Sequence, residues 1–403
     1  MATVAGACTP SREVATPTQR LAMTPLDAPG MVNGAEPFVS PAGGDSVLLS
    51  WLERGPDSVT VAMRLAVLDA AGHWSAPQDV IRASDLFVNW ADFPSVVRLP
   101  GGRLLAHWLQ RNGTGKYSYD VRLASSGDGG VTWSAPTIPH DPGVPAEHGF
   151  VTLLARADSS ADVLFLNGSA TPPGTEEGKG PPMRLGHSRW PVDGAAAPDA
   201  LLDLRTCDCC QTAAAQTARG PVVLYRDRSE GEERDISVIR FVDGAWTTPA
   251  PLHADGWIIK GCPVNGPAVS ARGDTVVAVW YTGARDTARV QAVFSVDAGA
   301  TFGAPVRIDQ GAPEGRVDVE LLDGGSALVT WIERVGPTRS EVRARLVDAR
   351  GIAEPALTID APGSGRATGF PRMARRADGV ALAWTVPGAI PKVRLAQLHV
   401  APR

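Results

Sequence analysis

The 403-residue sequence predicts an all-β fold, a seven-bladed β-propeller whose blades are four-stranded antiparallel sheets. Three observations support this prediction. Short apolar runs recur at intervals of roughly 50–60 residues, somewhat above the period of common propeller repeats. Helical periodicity is absent nearly everywhere. The high content of glycine (43) and proline (34) suits many short strands joined by turns.

The recurring unit is a polar or glycine-containing turn followed by an apolar run that usually ends in tryptophan. Each run is the second strand of a unit, and a first strand such as residues 94–99 precedes it. Evenly spaced short strands of this kind are typical of a propeller. The seven runs occupy residues 44–51, 102–108, 162–166, 221–225, 274–280, 326–331 and 379–384.

The last unit, residues 369–400, supplies only three strands. Residues 20–27 resemble the fourth strands of two other units, at 305–309 and 356–360. We therefore expect the N-terminal strand to complete the last blade. Closing the ring in this way removes free sheet edges, which otherwise invite aggregation.

Residues 20–403 are thus predicted to form one propeller domain, preceded by a disordered tail at 1–19. Small residues before Cys8, followed by a Ser/Thr/Pro stretch, resemble a bacterial lipoprotein cleavage site with its tether, although Ala5 stands where such sites carry leucine. This predicts an extracytoplasmic protein, periplasmic or on the outer surface, with a lipid anchor at Cys8. The alternative is a plain tail with an incidental cysteine.

Charge and hydropathy limit the partners. A formal net charge of -5 gives no electrostatic reason to expect nucleic acid. No apolar run approaches the roughly 18–20 residues that cross a bilayer, so we expect no transmembrane span. The expected partner is a small ligand or a metal in the central depression.

A turn between third and fourth strands carries a recognisable motif. Residues 126–133 match the pattern S-x-D-x-G-x-T-W in full, and residues 295–302 match it with Phe302 for tryptophan. The chain resembles the sialidase-like Asp-box (BNR repeat) β-propeller superfamily, as a divergent member that lacks the sialidase catalytic signature. The Asp and Thr side chains of the motif can bond the turn backbone while the aromatic ring packs between sheets. The resemblance therefore specifies a fold rather than an activity.

Loops that lead into first strands and loops that leave second strands share one face of a propeller. First strands line the axis, so polar residues in these loops are expected to converge on a central depression, the default place for a binding site.

Cysteines dominate that face. Cys207, Cys209 and Cys210 precede one blade, Cys262 precedes the next, and His148 precedes the blade before. Thiolates and imidazole are ligands for Cu(I) or zinc. We hypothesise a metal site built from these five residues, with copper first and zinc as the alternative, and with redox use left open. The competing interpretation has no metal and joins the two cysteine segments by disulfides between adjacent blades.

The resemblance also implies a second hypothesis. A sialidase-type hydrolase needs an arginine cluster for the substrate carboxylate, an acidic proton donor and a tyrosine nucleophile activated by glutamate. The candidates are Asp92 as the acid, Tyr281 as the nucleophile, and Arg226, Arg228, Arg285 and Arg316 as the arginines.

Three features oppose sialidase activity itself: the F/Y-R-I-P segment is missing, no tyrosine–glutamate pairing stands out, and seven repeats replace the six blades of that family. The alternative function is therefore a divergent glycoside hydrolase or glycan-binding propeller with an Arg/Asp pocket. A protein-interaction platform is the third. The sequence leaves open whether the chain is an enzyme.

Overall fold

The computed structural model describes residues 20–29, 31, 33–171, 180–191 and 200–401. The predicted tail at 1–19, with Cys8, lies outside these ranges. The described residues form seven antiparallel sheets arranged as a seven-bladed propeller, which confirms the predicted fold class. The helices found there are three single 3-10 turns, Ala284–Asp286, Asp323–Gly325 and Arg366–Thr368.

The strands of the first half, in chain order, are Leu21–Leu26 (β1), Gly34–Gly43 (β2), Ser46–Arg54 (β3), Val61–Leu68 (β4), Gln78–Ala83 (β5), Ser95–Arg98 (β6), Leu104–Arg111 (β7), Tyr119–Ser126 (β8), His148–Ala155 (β9), Ala161–Asn167 (β10), Met183–Trp190 (β11), Ala200–Thr206 (β12), Ala213–Thr217 (β13) and Gly220–Arg226 (β14).

The strands of the second half are Ile236–Val242 (β15), Ala245–Trp246 (β16), Ala250–Pro251 (β17), Ala268–Arg272 (β18), Thr275–Thr282 (β19), Arg289–Ser295 (β20), Val306–Arg307 (β21), Pro313–Leu321 (β22), Ser326–Arg334 (β23), Ser340–Asp348 (β24), Leu357–Asp360 (β25), Arg372–Arg376 (β26), Gly379–Val386 (β27) and Lys392–Val400 (β28).

Each blade is a meander whose first strand faces the axis. The inner strands of blades 1 to 7 are β2, β6, β9, β13, β18, β22 and β26. Each inner strand contacts the inner strand of the next blade, and β26 contacts β2, so the ring is closed.

The N-terminal strand completes the last blade, as predicted. β1 pairs antiparallel with β28 over its whole length, from Leu21 opposite Val400 to Leu26 opposite Leu395. The seventh sheet therefore has the order β1-β28-β27-β26, with its outermost strand drawn from the other end of the chain.

The core lies between neighbouring blades. Apolar side chains from two adjacent sheets form each cluster, as where Val277 and Val279 of blade 5 meet Trp331 of blade 6. The tryptophans that end the second-strand runs are fully buried in several blades, among them Trp51, Trp280 and Trp331. Such large buried rings supply much of the apolar area that holds blades together.

Blade 2 departs from the four-stranded pattern. Its sheet has three strands, β6, β7 and β8, and the fourth strand expected after Trp133 is reduced to a bridge between Leu123 and Thr137. Next to this bridge, the backbone N–H of Val121 donates to Nε2 of His140 across 3.2 Å. A histidine side chain thus occupies the position of a missing strand carbonyl.

The motif residues at 126–133 stabilise their own turn. The carboxylate of Asp128 accepts from the Thr132 N–H (3.0 Å), the Thr132 hydroxyl (2.5 Å) and the Ser126 hydroxyl (2.8 Å). Asp297 makes the same contacts with Thr301 and Ser295. These side chains are used within the turn, in agreement with a structural role.

None of the helical turns in the described ranges has the length or apolar character to cross a membrane.

Candidate functional site

The cysteine-rich loop at 207–212 leads into blade 4 and is hydrogen-bonded to blades 2, 3, 4 and 5. The Cys207 N–H donates to the Arg226 carbonyl (3.0 Å) within blade 4. The Gln211 amide donates to the Ala91 carbonyl ahead of blade 2 (2.5 Å) and accepts from the Gly266 N–H of blade 5 (3.0 Å). Gly266 has to be glycine, because a Cβ there would lie 2.2 Å from the Gln211 carbonyl oxygen.

The loop brings three sulfurs together. The Cys207 Sγ lies 3.2 Å from that of Cys210 and 3.9 Å from that of Cys209, and all three sulfurs lie within 4.8 Å of one another. We call Cys207, Cys209 and Cys210 the thiol cluster. Cys207 and Cys210 are buried and Cys209 is half-buried. Sequence reasoning overlooked that two residues separate Cys207 from Cys210, which is the C-x2-C spacing found in metal and redox sites.

Cys262 joins the thiol cluster from the next blade. It lies in the loop that leads to β18 and is exposed, and it is close enough to Cys209 for each thiol to shift the pKa of the other. A second link ties the two loops, since the Asn265 N–H donates to the Cys210 Sγ across 3.4 Å. All four free cysteines of the described residues therefore belong to one neighbourhood.

Positive charge reaches the innermost sulfur. Nη1 of Arg234 donates to the Cys207 Sγ across 3.3 Å. Burial alone would raise the pKa of Cys207, but hydrogen bonds from Cys209 and Cys210 and the charges of Arg234 and Arg226 outweigh it and hold the pKa well below its ordinary value. Cys207 is therefore the most acidic thiol of the cluster.

The pKa values of the other three thiols are shifted by their neighbours. The hydrogen bond to Cys207 raises the pKa of Cys209 well above its usual range, and burial raises that of Cys210. The contact with Cys209 lowers the pKa of Cys262. A metal that replaces these protons would use the same geometry, because the ligand form of cysteine is the thiolate.

His148 lies elsewhere. The structure groups it with Asp120 and His140 rather than with the sulfurs. The rings of His140 and His148 stack with centroids 3.8 Å apart. Neither ring nitrogen of His148 makes a well-formed hydrogen bond within the described residues. Burial lowers the pKa of His148 to about 3, so the ring is neutral.

A cleft of about 580 Å³ opens beside Cys262 on the face of the leading loops. We call it the mouth cleft. Inner-strand loops and second-strand ends of blades 5, 6 and 7 form its walls, with one residue from blade 2. Its main side chains are Trp90, Cys262, Tyr281, Glu314, Arg316, Arg334 and Arg366.

Two of the candidate catalytic residues line this cleft. Arg316 is buried, its guanidinium lies over the Trp90 ring at 4.9 Å, and it donates to the Gly365 carbonyl (2.9 Å). Burial lowers the pKa of Arg316 to about 10, with Glu314 opposing and Arg366 reinforcing the shift. Burial raises the pKa of Tyr281.

Tyrosine–glutamate neighbours, which did not stand out in the sequence, do occur in the structure. Tyr281 and Glu314 share the mouth cleft. Outside it, the Tyr119 hydroxyl donates to Glu147 across 2.8 Å. Asp92 lies in this second group, 3.4 Å from the Tyr119 hydroxyl, and accepts from the Phe150 N–H (2.8 Å).

Asp92 is buried, and burial raises its pKa to about 8, with the Glu147 charge adding to the effect. It is therefore a protonated carboxyl at neutral pH, and it is not among the residues that line the mouth cleft.

Arg226 is committed to the backbone. Its guanidinium donates to three carbonyls, those of Asn265 (2.9 Å), Arg234 (2.5 Å) and Tyr281 (2.7 Å), and it lies over the Trp257 ring at 4.9 Å. This side chain joins blades 4 and 5.

The other two predicted arginines, Arg228 and Arg285, do not line the mouth cleft. Arg228 pairs with Asp208 (2.7 Å) and Glu232 (2.8 Å), and Arg285 is not among the residues of the mouth cleft. Arg334 and Arg366 line it instead. Arg334 follows a second strand, a signal that could have selected it, whereas Arg366 lies in a 3-10 turn without periodic pattern.

No protein-family model matches the chain. No curated protein matches it either.

Solved structures do match. A protein of unknown function from Dyadobacter fermentans DSM 18053 aligns with a TM-score of 0.53 and 14% identity, covering 95% of this chain and 100% of that one. An ulvan lyase of polysaccharide lyase family PL25 aligns with a TM-score of 0.51 and 10% identity over 81% of this chain and 80% of that one. Another polysaccharide lyase aligns with a TM-score of 0.51 and 9% identity over 91% and 90%.

These likenesses establish the fold. They agree with the predicted propeller architecture, and at identities of 9–14% they show the fold alone. The fold and the site together define a class: a seven-bladed propeller with a thiol cluster beside its central cleft.

Proposed function

We propose that the protein binds Cu(I) through Cys207, Cys209 and Cys210. The observation that carries this proposal is the convergence of three sulfurs within 4.8 Å in a buried, positively charged setting. The softness of thiolate sulfur favours Cu(I) over harder ions.

The spacing of the sulfurs supports a shared ligand. Sulfurs bound at about 2.3 Å to one metal are about 3.8 Å apart in a tetrahedron and about 4.0 Å apart in a plane. The Cys207–Cys209 distance of 3.9 Å fits both, and the Cys207–Cys210 distance of 3.2 Å needs only a small adjustment.

Copper is preferred to zinc because of the number of buried sulfurs. Structural zinc sites are almost always four-coordinate. The thiol cluster supplies three ligands, and the fourth cysteine, Cys262, lies on the wall of the mouth cleft. Three thiolates and Cu(I) leave an excess of negative charge, which Arg234 and Arg226 offset.

The test is metal titration of the full chain, purified anaerobically with reductant. We expect one Cu(I) per chain in competition with bicinchoninate, and loss of binding in Cys207→Ser and Cys210→Ser. Zinc held in preference to Cu(I) would overturn the metal assignment. A chain without metal whose four cysteines are oxidised in pairs would replace the site by disulfides.

A second candidate function is recognition or cleavage of an acidic glycan in the mouth cleft. The observation that favours it is the meeting of Arg316, Arg334 and Arg366 with Tyr281 and Glu314 in one concavity. Guanidinium groups bind carboxylates through paired hydrogen bonds. The fold of polysaccharide lyases adds support.

Two assays separate this candidate from metal binding. Turnover of a fluorogenic sialoside that is lost in Tyr281→Phe would support hydrolysis. Binding of acidic oligosaccharides that is weakened in Arg366→Ala would support recognition. Inactivity in both assays removes the candidate.

We also propose an extracytoplasmic location with a lipid anchor at Cys8. The support is the sequence of the tail, with small residues before Cys8 and a Ser/Thr/Pro stretch after it. Labelled palmitate that enters the wild-type chain but not Cys8→Ser would support the anchor, and equal labelling of both would remove it.

A further inference from the structure

The four sulfurs form a path from the interior to the mouth cleft. Cys207 and Cys210 are 0% and 2% exposed, Cys209 is half-buried, and Cys262 is exposed. Sulfur contacts run from Cys210 to Cys207 and from Cys207 to Cys209. The loop of Cys262 is bonded to the cluster through the Asn265 N–H and the Cys210 Sγ (3.4 Å), and Cys262 is close enough to Cys209 to shift its pKa. Cys262 is thus the sulfur that a molecule in the mouth cleft can reach.

We propose that Cys262 is the exchange ligand through which Cu(I) passes between the thiol cluster and a small anionic thiol seated in the mouth cleft. This inference rests on the proposed function and adds to it a route and a class of carrier.

The size of the mouth cleft fits a small carrier. Its volume of about 580 Å³ falls within the range of roughly 300–1,000 Å³ that is usual for small-molecule sites. Trp90 and Tyr281 supply apolar walls, and Cys262 lies in the same lining.

The charge of the mouth cleft fits an anion. Three guanidinium groups, those of Arg316, Arg334 and Arg366, face two carboxylates, those of Glu314 and Asp286. Glu314 is shared, since it accepts from Arg334 at 3.1 Å and lies 3.8 Å from Arg316. An anionic ligand would be attracted to the remaining positive charge.

Asn265 links the arginines of the mouth cleft to the thiol cluster. The Asn265 N–H donates to the Cys210 Sγ (3.4 Å), and its side-chain oxygen accepts from the Arg316 N–H (2.7 Å). Its amide also donates to the Glu314 carbonyl (3.1 Å). A carrier held by the arginines is therefore held at a fixed position relative to the thiol cluster.

The transfer step is a ligand exchange without redox change. The Cys262 thiol gives its proton to the carrier thiolate that leaves, and its sulfur forms a bond to Cu(I) as the bond from Cu(I) to the carrier sulfur breaks. Cys209 then replaces Cys262 in the same manner, so copper stays monovalent throughout.

The experiment measures the rate of Cu(I) transfer to the reduced full chain by stopped flow. The donors are Cu(I)–glutathione, whose thiol ligand is anionic, and Cu(I)–dithiothreitol, whose ligand bears no carboxylate. Equilibrium Cu(I) titration of the wild type comes first, because absence of binding there refutes the proposed function and not the route alone.

Separate variants test the exchange ligand Cys262 and the arginines of the mouth cleft. Cys262→Ser should slow transfer from both donors by about tenfold or more, because the remaining sulfurs become reachable only when the loop opens. Arg334→Ala should slow transfer from Cu(I)–glutathione alone, by roughly three- to tenfold. Its matched control is Arg219→Ala, since the two side chains are 59% and 58% exposed and each has one carboxylate partner.

Two results would overturn the inference while leaving the metal site intact. One is a Cys262→Ser chain that binds Cu(I) as fast as the wild type. The other is an Arg334→Ala chain that slows both donors equally, or an Arg219→Ala chain that matches it, because neither pattern reflects an anionic carrier in the mouth cleft.

Discussion

The guanidinium of Arg234 lies against the sulfur of Cys207, with Nη1 3.3 Å from Sγ. Burial normally makes a thiol resist ionisation. Here hydrogen bonds from Cys209 and Cys210 lower the pKa of Cys207, and the charge of Arg234 adds to their effect. The pair places a negative sulfur in the interior of blade 4, at the point where the leading loops of neighbouring blades meet.

Arg234→Gln should raise the pKa of Cys207 in the reduced, metal-free chain. The measurement is the ultraviolet absorbance of thiolate against pH, with Cys207→Ser as the subtraction. Arg394→Gln, which changes an exposed arginine on β28, serves as the control. Identical titrations for Arg234→Gln and the wild type would contradict the role of this contact.

The same thiolate contributes stability that depends on pH. The pKa of Cys207 is lower in the folded state, so its contribution is complete above the unfolded thiol value of about 8.5 and is lost as pH falls through the folded value. The free energy of unfolding of the wild type, measured with a chemical denaturant, should therefore decrease below that pH more than that of Cys207→Ser.

Asp92→Asn should remove a second pH dependence of stability, whose sign is opposite to that of Cys207. Burial raises the pKa of Asp92 to about 8, so the folded chain keeps a proton that the unfolded chain loses above about 4. Stability then falls as pH rises between these values, by up to about 1.4 kcal/mol per pH unit.

Asparagine keeps the bond from the Phe150 N–H and cannot ionise, so this slope disappears. Denaturant unfolding between pH 5 and 8 measures it, and Asp243→Asn, at an exposed turn, should leave the slope unchanged. An undiminished slope in Asp92→Asn would show that another group is responsible.

Arg226→Lys should destabilise the chain by about 3 kcal/mol or more. The single nitrogen of lysine cannot serve the three carbonyls that the guanidinium bonds, and a buried carbonyl without a donor costs about 1–3 kcal/mol. Arg219→Lys, on an exposed turn, should stay within about 0.5 kcal/mol. Equal effects of the two variants would refute the structural role of Arg226.

His148→Phe should retain Cu(I) binding and full stability. The ring of His148 is neutral, stacks on His140, and lacks well-formed hydrogen bonds within the described residues, so an aromatic hydrocarbon loses little there. Equilibrium Cu(I) titration and thermal unfolding measure the two properties. A fall in copper stoichiometry would restore the original hypothesis that His148 is a ligand.

Leu21→Ala should cost about 2–4 kcal/mol, the usual effect of emptying a buried leucine site. Leu21 is 4% exposed and packs into the core between blades 6 and 7. Thr24→Ala, on the same strand but exposed, is the control. Denaturant unfolding of both variants measures the difference, and similar midpoints would show that β1 adds little to the seventh blade.

The fold was predictable because its signals are periodic. Repeated apolar runs define the second strands, and the missing fourth strand of the last unit pointed to β1. The meeting of Cys262 with the 207–210 segment followed from the same logic, since equivalent positions in successive repeats are neighbours around the axis.

The face of β9 on which the His148 side chain lies was not predictable from the sequence. β9 is irregular near its start: its register with β10 shifts there, and Phe150 has a φ of 54°. A bulge of this kind reverses which face a strand residue occupies. His148 therefore packs on His140, beside the place where blade 2 lacks a fourth strand. The sequence of blade 2 gave no sign that this strand would be missing.

The arginines of the mouth cleft were only partly predictable. Arg316 follows from its place before an inner strand, whereas Arg226 occupies an equally suitable place and is consumed by backbone carbonyls. Which of two similar arginines faces solvent depends on contacts between loops far apart in sequence, such as that between Asn265 and Arg316.

The pairing of Leu21 with Val400 also governs how the protein is made. During synthesis β1 has no partner until β28 has been made, so the ring stays open until then. Synthesis that stops before Lys392 leaves one hydrogen-bonding edge of β27 without its partner strand. Such products expose a free sheet edge that chaperones and proteases recognise, so quality control of the propeller depends on whether β28 has been added.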